Sequence, residues 1–430
     1  MSLAAIGLLL AACERSPVIG GLATGVQAAF RLPASASHGC RRGPTRGGRP
    51  QTRHDLASAR FPITVHWRDP ATAAKAKKLL GYLDAAWQRE VVEMGWARPL
   101  SDAGAGGTDN LDVYLAPVGK GQAYVAEERR QKTPFAAASA YIVFDQNLAD
   151  DGTLESYAFH EFNHACQYAL DANEGSAFYE NAAAYMDRFL KPDGPASQTG
   201  IADFQAAPER SLDSISPDGF TDEFEYGAGI FLEFLVERYG AGRPDLVREL
   251  WEAGRQPEQA GAADPNEPDW QDVLPAVLQR RQGPDTQTAL LAFQAWRLQQ
   301  SLSKPPRLPV PFLIQDGGRA DRLKPAQNRR PPPWGANFAR LDTQGARTVS
   351  VSLADGGDSQ WRVWVGTQGS DGNWSAATSA PGAGQPRVSL ALGAAKRVYV
   401  TVLNLGNGHH DPDRADWAGA DYRLDLDWAR

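Results

Sequence analysis

The chain has 430 residues, a formal net charge of −7, 42 glycines, 30 prolines, 7 histidines and only 3 cysteines. The acidic balance argues against a nucleic-acid partner, and the few cysteines exclude a disulfide-stapled scaffold. The length suits two folded domains plus loop-rich connections.

Residues 1–13 are apolar and end in Leu10-Ala11-Ala12-Cys13, the form of a lipobox. The run is too short to span a bilayer. It reads as a lipoprotein-type export signal, with Cys13 as the lipid-bearing residue that anchors the chain to a membrane; plain secretion is the alternative. The expected location is the bacterial cell envelope, at the outer membrane or cell surface, or the medium. No Lys or Arg precedes the apolar run. Residues 14–60 are rich in Gly, Arg, Ser and Pro and predict a flexible tether.

A folded domain is expected over 61–303. Ile63, Val65 and Trp67 alternate as in a strand. Leu80, Leu83, Trp87, Val91 and Met94 recur at helical spacing and predict one helix over 71–96, despite Gly81 inside it. Leu111, Val113 and Leu115 mark a second strand; Ala140, Ile142 and Phe144 mark a third. That third strand is either a sheet edge to which an extended peptide can add, or a buried strand with no such role.

The segment 153–170 predicts a helix, capped by Asp151 or Thr153 and uninterrupted by Pro or Gly. It carries His160-Glu161-Phe162-Asn163-His164, an H-E-x-x-H motif. Histidines at i and i+4 fall on one helix face, one turn apart, and can grip a single Zn2+ ion. The glutamate beside the first histidine is placed to act as general base. Phe159, Phe162 and Cys166 form an apolar stripe, so the helix reads as half-buried with its polar residues facing a cleft. A catalytic zinc needs a third protein ligand. The next helix, over 172–190, offers Glu180 and Glu174. Glu180 is preferred: it lies well inside the helix, with Ala177 and Ala184 on its face to permit close approach. Glu174 lies beside Gly175 at the turn.

His160 to Gln167 (HEFNHACQ) followed by Phe178 to Asp187 (FYENAAAYMD) resembles a family of secreted bacterial zinc metalloproteases of the gluzincin type. The strand Ala138–Asp145 and the stretch 226–240 are similar to the same family, and the resemblance covers 61–254. It implies His160, His164 and Glu180 as zinc ligands, Glu161 as base, and a peptide or protein as substrate. Asn163 stands where the family often has an aromatic or aliphatic residue, and the interval from His164 to Glu180 is short for a gluzincin.

A helix is expected over 226–240, stopped by Gly240, and another from Pro244 to about residue 254. Tyr226 is either a hydrogen-bond donor to the oxyanion formed in peptide hydrolysis or a packing residue. A helix over 287–302 closes the domain. Residues 304–333 hold Pro305, Pro306, Pro309, Pro311 and Pro331 to Pro333 and predict a stiff linker. Beyond it the period becomes two: Val349, Val351, Leu353; Trp361, Val363, Val365; Val388, Leu390, Leu392; Val398, Val400, Val402; Tyr422, Leu424, Leu426, Trp428. This predicts a β-sandwich accessory domain over 334–430. His409, His410, Asp411 and Asp413 read as an exposed turn before a metal site. A Cys40–Cys166 disulfide stays open.

The fold class expected is therefore an α+β zincin-like metalloprotease domain followed by a small all-β sandwich. The leading functional expectation is a zinc metallopeptidase. The alternative is a catalytically inactive zincin-like surface lipoprotein that binds glycan or protein through its sandwich.

Overall fold

The computed structural model describes residues 48–118, 122–150, 152–215, 222–257, 267–382, 385–408 and 418–430. The export signal with Cys13, the tether up to residue 47 with Cys40, Asp151 and the 409–413 turn lie outside them. The chain is mixed α and β and falls into two compact units. One takes in the described residues up to 200 together with 215–277; the other takes in 201–214 and 278–430.

The first unit is built on a five-stranded sheet of β1 (His54–Ala57), β2 (Ile63–Trp67), β3 (Leu111–Ala116), β4 (Ala123–Arg130) and β5 (Ala138–Asp145), in the order β1-β2-β3-β5-β4. The three central strands run parallel, and β1 and β4 are antiparallel edges. Ile63, Val65, Val113, Ile142 and Phe144 are fully buried, as the alternation predicts. Of the two readings of the third predicted strand, the buried one holds: β5 pairs with β3 on one side and β4 on the other, so β4 is the edge.

The helix α1 (Ala73–Ala86) packs on β2 and on α2 (Thr153–Tyr168). Instead of continuing to residue 96 it widens into a π-helical turn, Trp87–Glu93, and stops at Gly95 with φ of 77°. Such π-bulges concentrate at functional sites. α2 begins at Gly152, whose φ of 96° suits glycine, and has no side-chain cap. It is not half-buried: every residue from Thr153 to Tyr168 except Glu155 is buried. α3 (Ser176–Leu190) starts four residues later than predicted. The Asp171 carboxylate accepts from the backbone N–H groups of Asn173 and Gln256, and these bonds hold the preceding turn in loop form. After α4 (Ile201–Ala206), which belongs to the second unit, come α5 (Phe224–Ala228), α6 (Ile230–Tyr239), α7 (Asp245–Ala253) and α8 (Trp270–Arg280). The single helix expected over 226–240 is broken at Gly229, where a Cβ would meet the Asn181 carbonyl oxygen at 2.7 Å. Only glycine allows α5 to lie that close to α3.

Among the described residues the second unit holds α9 (Thr286–Ser301) and nine strands: β6 (Leu313–Asp316), β7 (Arg322–Leu323), β8 (Ala336–Asp342), β9 (Thr348–Asp355), β10 (Gln360–Gln368), β11 (Trp374–Thr378), β12 (Arg387–Ala391), β13 (Arg397–Gly406) and β14 (Arg423–Ala429). They form two sheets, β11-β10-β13-β8-β6 and β12-β9-β14-β7, which share one core. All five predicted strands contribute their alternating apolar residues to it. The segment 304–333 is not a linker. Its β6 pairs with β8 and its β7 with β14, and the Pro309 carbonyl accepts from Gln205. Nor does α9 close the first unit: it lies against β10 and β13. The reason is apolar surface. Phe338 and Leu403, on the sheet face away from the shared core, are buried, and Arg297 of α9 lies over the Phe338 ring.

The tether also ends earlier than residue 60. β1 pairs with β2, and just before it the Arg49 guanidinium pairs with Asp102, Asp112 and Glu128 and donates to the Tyr114 hydroxyl. His66 Nε2 sits 2.7 Å from the other Asp112 oxygen. Removing one cation from among three largely buried carboxylates is costly. Arg49→Ala should lower stability by on the order of 3 kcal/mol in urea unfolding, and an unchanged midpoint would refute this account.

Candidate metal centre

α2 and α3 bring three side chains to one point inside the first unit. His160 Nε2 lies 3.1 Å from His164 Nε2 and 3.2 Å from Glu180 Oε2, and His164 Nε2 lies 3.4 Å from the same oxygen. The residues are 3, 2 and 4 % exposed. Helix periodicity stacks the two imidazoles one turn apart. Glu180 meets them because α3 packs along α2, with Ala177 and Ala184 buried beside it. Glu174 is elsewhere: its carboxylate accepts from the backbone N–H groups of Gly175 and Trp270.

Hydrogen bonds settle which nitrogen of His164 faces inward. Gln167 Nε2 donates to Asn163 Oδ1 at 2.8 Å and to the Tyr179 carbonyl at 3.1 Å. Gln167 Oε1 therefore faces His164 Nδ1, which donates to it at 2.7 Å. The Nε2 lone pair of His164 then points at Glu180 and His160. Three acceptor atoms this close are satisfied only by a shared cation, either a proton or a metal ion. The separations of 3.1, 3.2 and 3.4 Å match the edge of a tetrahedron with metal–ligand bonds of about 2.0–2.1 Å, roughly 3.3–3.4 Å. The donor set fits a metal ion. A second group within similar reach, Glu267, Asp269 and Asp272, is all carboxylate and lacks imidazole.

Electrostatics agree with this geometry. Burial alone would raise the Glu180 carboxyl, but the two imidazoles outweigh it and hold it well below the usual range. Burial opposes charge on His164 as well, and the Glu180 carboxylate overcomes it and raises that imidazole. His160 is lowered by burial. Glu161, 1 % exposed, is pushed up to about 8, chiefly by burial and further by Glu180. Its Oε1 has no hydrogen-bond partner. Tyr226, on α5, has its ring centroid 5.9 Å from that of His160.

The structure adds residues to the centre that sequence reasoning did not assign. Gln167 and Asn163 lie in the quoted motif, three residues after His164 and one before it, and the i, i+4 spacing between them carried the signal. Tyr157 carried the same signal, four residues before Glu161 on the stripe that also holds His164; Glu90 left no such trace. Glu90 comes from the π-helical turn, and its Oε2 accepts from Asn163 Nδ2 at 2.8 Å. The Tyr157 hydroxyl is buried without a partner, one turn before Glu161. Cys166 is a buried free thiol, and burial holds it protonated.

No family model matches the chain, and no curated protein matches it. Among solved structures it is similar to the pre-peptidase C-terminal domain of a collagenase from Bacillus anthracis, at 13% identity over 27% of this chain and 97% of that one, with a TM-score of 0.20. It is also similar to a family GH115 4-O-methyl-alpha-glucuronidase with specificity for decorated arabinogalactans, at 11% identity over 66% of this chain and 45% of that one, with a TM-score of 0.15. Neither likeness bears on the histidine cluster.

Two outcomes follow from this geometry. After loading with zinc and desalting, Glu180→Ala should lose the metal that the parent retains, while Glu174→Ala should keep it; metal retained by Glu180→Ala would refute the assignment. The second concerns Asp187, which accepts from Ser156 Oγ between α3 and α2. Burial pushes its carboxyl from 3.8 up to about 7. A raised acid stabilises fully below its unfolded pKa and loses that contribution as pH climbs through the folded value. Asp187→Asn should therefore gain on the parent by roughly 2–3 kcal/mol between pH 5 and pH 8 in urea unfolding. A difference that does not vary with pH would contradict it.

Proposed function

We propose that this chain is a zinc-dependent peptidase, cutting peptide or protein substrates at the cell surface or outside the cell. The observation that carries this reading is the convergence of His160, His164 and Glu180 beside a buried Glu161 whose Oε1 has no partner. The resemblance of HEFNHACQ and FYENAAAYMD to gluzincin metalloproteases supports it, as does the export-signal form of residues 1–13 with Cys13 as anchor. The first unit is then a zincin-like domain, and the two-sheet unit its accessory domain.

His160, His164 and Glu180 hold the ion. Zinc, when bound, supplies Lewis acidity toward a water and the scissile carbonyl. The rest is the work of the chain's own groups. Glu161 accepts a proton from the attacking water as the carbon–oxygen bond forms. It returns that proton to the nitrogen as the carbon–nitrogen bond breaks, so it ends the cycle as it began. Tyr226, packed beside His160, donates its hydroxyl hydrogen to the oxygen that gains charge. β4 offers an outer edge for main-chain pairing with an extended peptide.

Deep burial of the cluster favours one other reading, in which the ion serves structure and the surface binds glycan or protein without cleavage. Glu161→Gln separates the two. It should retain zinc and lose about a hundredfold to ten-thousandfold of its peptide-library cleavage rate. Equal cleavage by this variant would sink the mechanism, and absence of cleavage by the zinc-loaded parent would favour the binding reading.

A further inference from the structure

We propose that Glu90 is a positioning residue for His164, acting through Asn163 and Gln167 as the end-stop that sets the direction of a buried hydrogen-bond chain. This rests on the reading of His160, His164 and Glu180 as a metal centre. His164 Nδ1 donates to Gln167 Oε1 at 2.7 Å, Gln167 Nε2 to Asn163 Oδ1 at 2.8 Å, and Asn163 Nδ2 to Glu90 Oε2 at 2.8 Å. Glu90, Asn163 and Gln167 are each fully buried. Every bond in the chain points away from the centre and toward Glu90.

That polarity matters because a side-chain amide is symmetric in shape but not in chemistry. Asn163 and Gln167 would fit almost as well with oxygen and nitrogen exchanged. Reversed, Gln167 would present N–H to His164 Nδ1, and the ring proton would move to Nε2, the atom that faces Glu180 and His160. A histidine protonated at Nε2 cannot ligate through it. The chain therefore needs a terminus that accepts and does not donate toward Asn163. Glu90 supplies it through Oε2, the oxygen that accepts from Asn163 Nδ2; burial raises the Glu90 carboxyl, and its proton belongs on Oε1, which is buried and has no hydrogen-bond partner. The Tyr179 carbonyl, 3.1 Å from Gln167 Nε2, reinforces the same direction one step nearer the centre. The π-helical turn matters because it is the element that carries Glu90 into the interior.

The bland alternative is that Glu90–Asn163 is only a staple between the end of α1 and α2. The two ideas differ in what they predict for metal binding at temperatures where the protein is folded. Outer partners of a ligating histidine are typically worth 10–100-fold in metal affinity. Zinc dissociation constants would be measured on the full chain by competition with a chromophoric chelator, with melting temperatures alongside. Glu90→Leu, which removes the acceptor, should weaken zinc binding about tenfold or more. Glu90→Gln, whose amide can accept or donate, should fall between the parent and Glu90→Leu. Asn163→Leu should match Glu90→Leu, and the double variant should be no worse than Asn163→Leu, because both cut one chain.

Zinc affinity equal to the parent in Glu90→Leu would overturn the proposal and leave a structural staple. Should Glu90→Leu fail to fold, parental affinity in Glu90→Gln would overturn it equally. A parent that binds no zinc would overturn both this inference and the metal-centre reading. A parent that binds zinc alongside unaffected Glu90 variants would overturn this inference alone.

Discussion

Three lone-pair donors held within 3.4 Å of one another in the interior are the constraint around which the first unit is organised. Two imidazole nitrogens and a carboxylate oxygen repel unless a cation lies among them, and burial removes the water that would otherwise screen them. The surrounding structure keeps them together. α3 comes close to α2 over alanines, and Gly229 lets α5 come close to α3, which sets Tyr226 beside His160. Each close approach depends on a residue with little or no side chain.

α2 is the less usual element. A helix buried on all sides is ordinarily apolar, yet this one carries Ser156, His160, Glu161, Asn163, His164 and Gln167. Most of these are matched by partners: Ser156 with Asp187, Asn163 with Glu90, and Gln167 with His164 and the Tyr179 carbonyl. Glu161 and Tyr157 depart from this, each keeping a buried oxygen without a hydrogen-bond partner. Unsatisfied polar atoms cost stability, and these two residues lie one turn apart on α2.

The second unit follows simpler rules. Alternating residues from both sheets fill one core, and α9 covers the remaining apolar face. Arg297 on α9 shows how tightly that cover is held. It is buried, donates to Gln205 Oε1 and the Phe204 carbonyl, and lies 4.0 Å from the Phe204 ring centroid. Proline content misled the reading of 304–333. Proline lacks an N–H but keeps a carbonyl, so a proline-rich segment can still dock through its carbonyls and supply short strands at sheet edges.

Local periodicity was enough to find the five strands from Val349 to Trp428, the strands of the first sheet other than its two edges, and the helices that carry the motif. It failed where a helix was interrupted for tertiary reasons, at the π-helical turn and at Gly229, and where strands were too short, too polar or too poor in large apolar residues to alternate, as with β1, β4, β6, β7, β8 and β11. The sequence by itself determined that His160 and His164 share a helix face with Glu161 beside them, because that follows from 3.6 residues per turn. Only the tertiary structure decided that Glu180 rather than Glu174 completes the group, that β4 rather than β5 is the sheet edge, and that Glu90 lies at the end of the chain from His164. Those outcomes depend on which elements pack together across 20 to 73 residues of chain, and no local pattern encodes that distance.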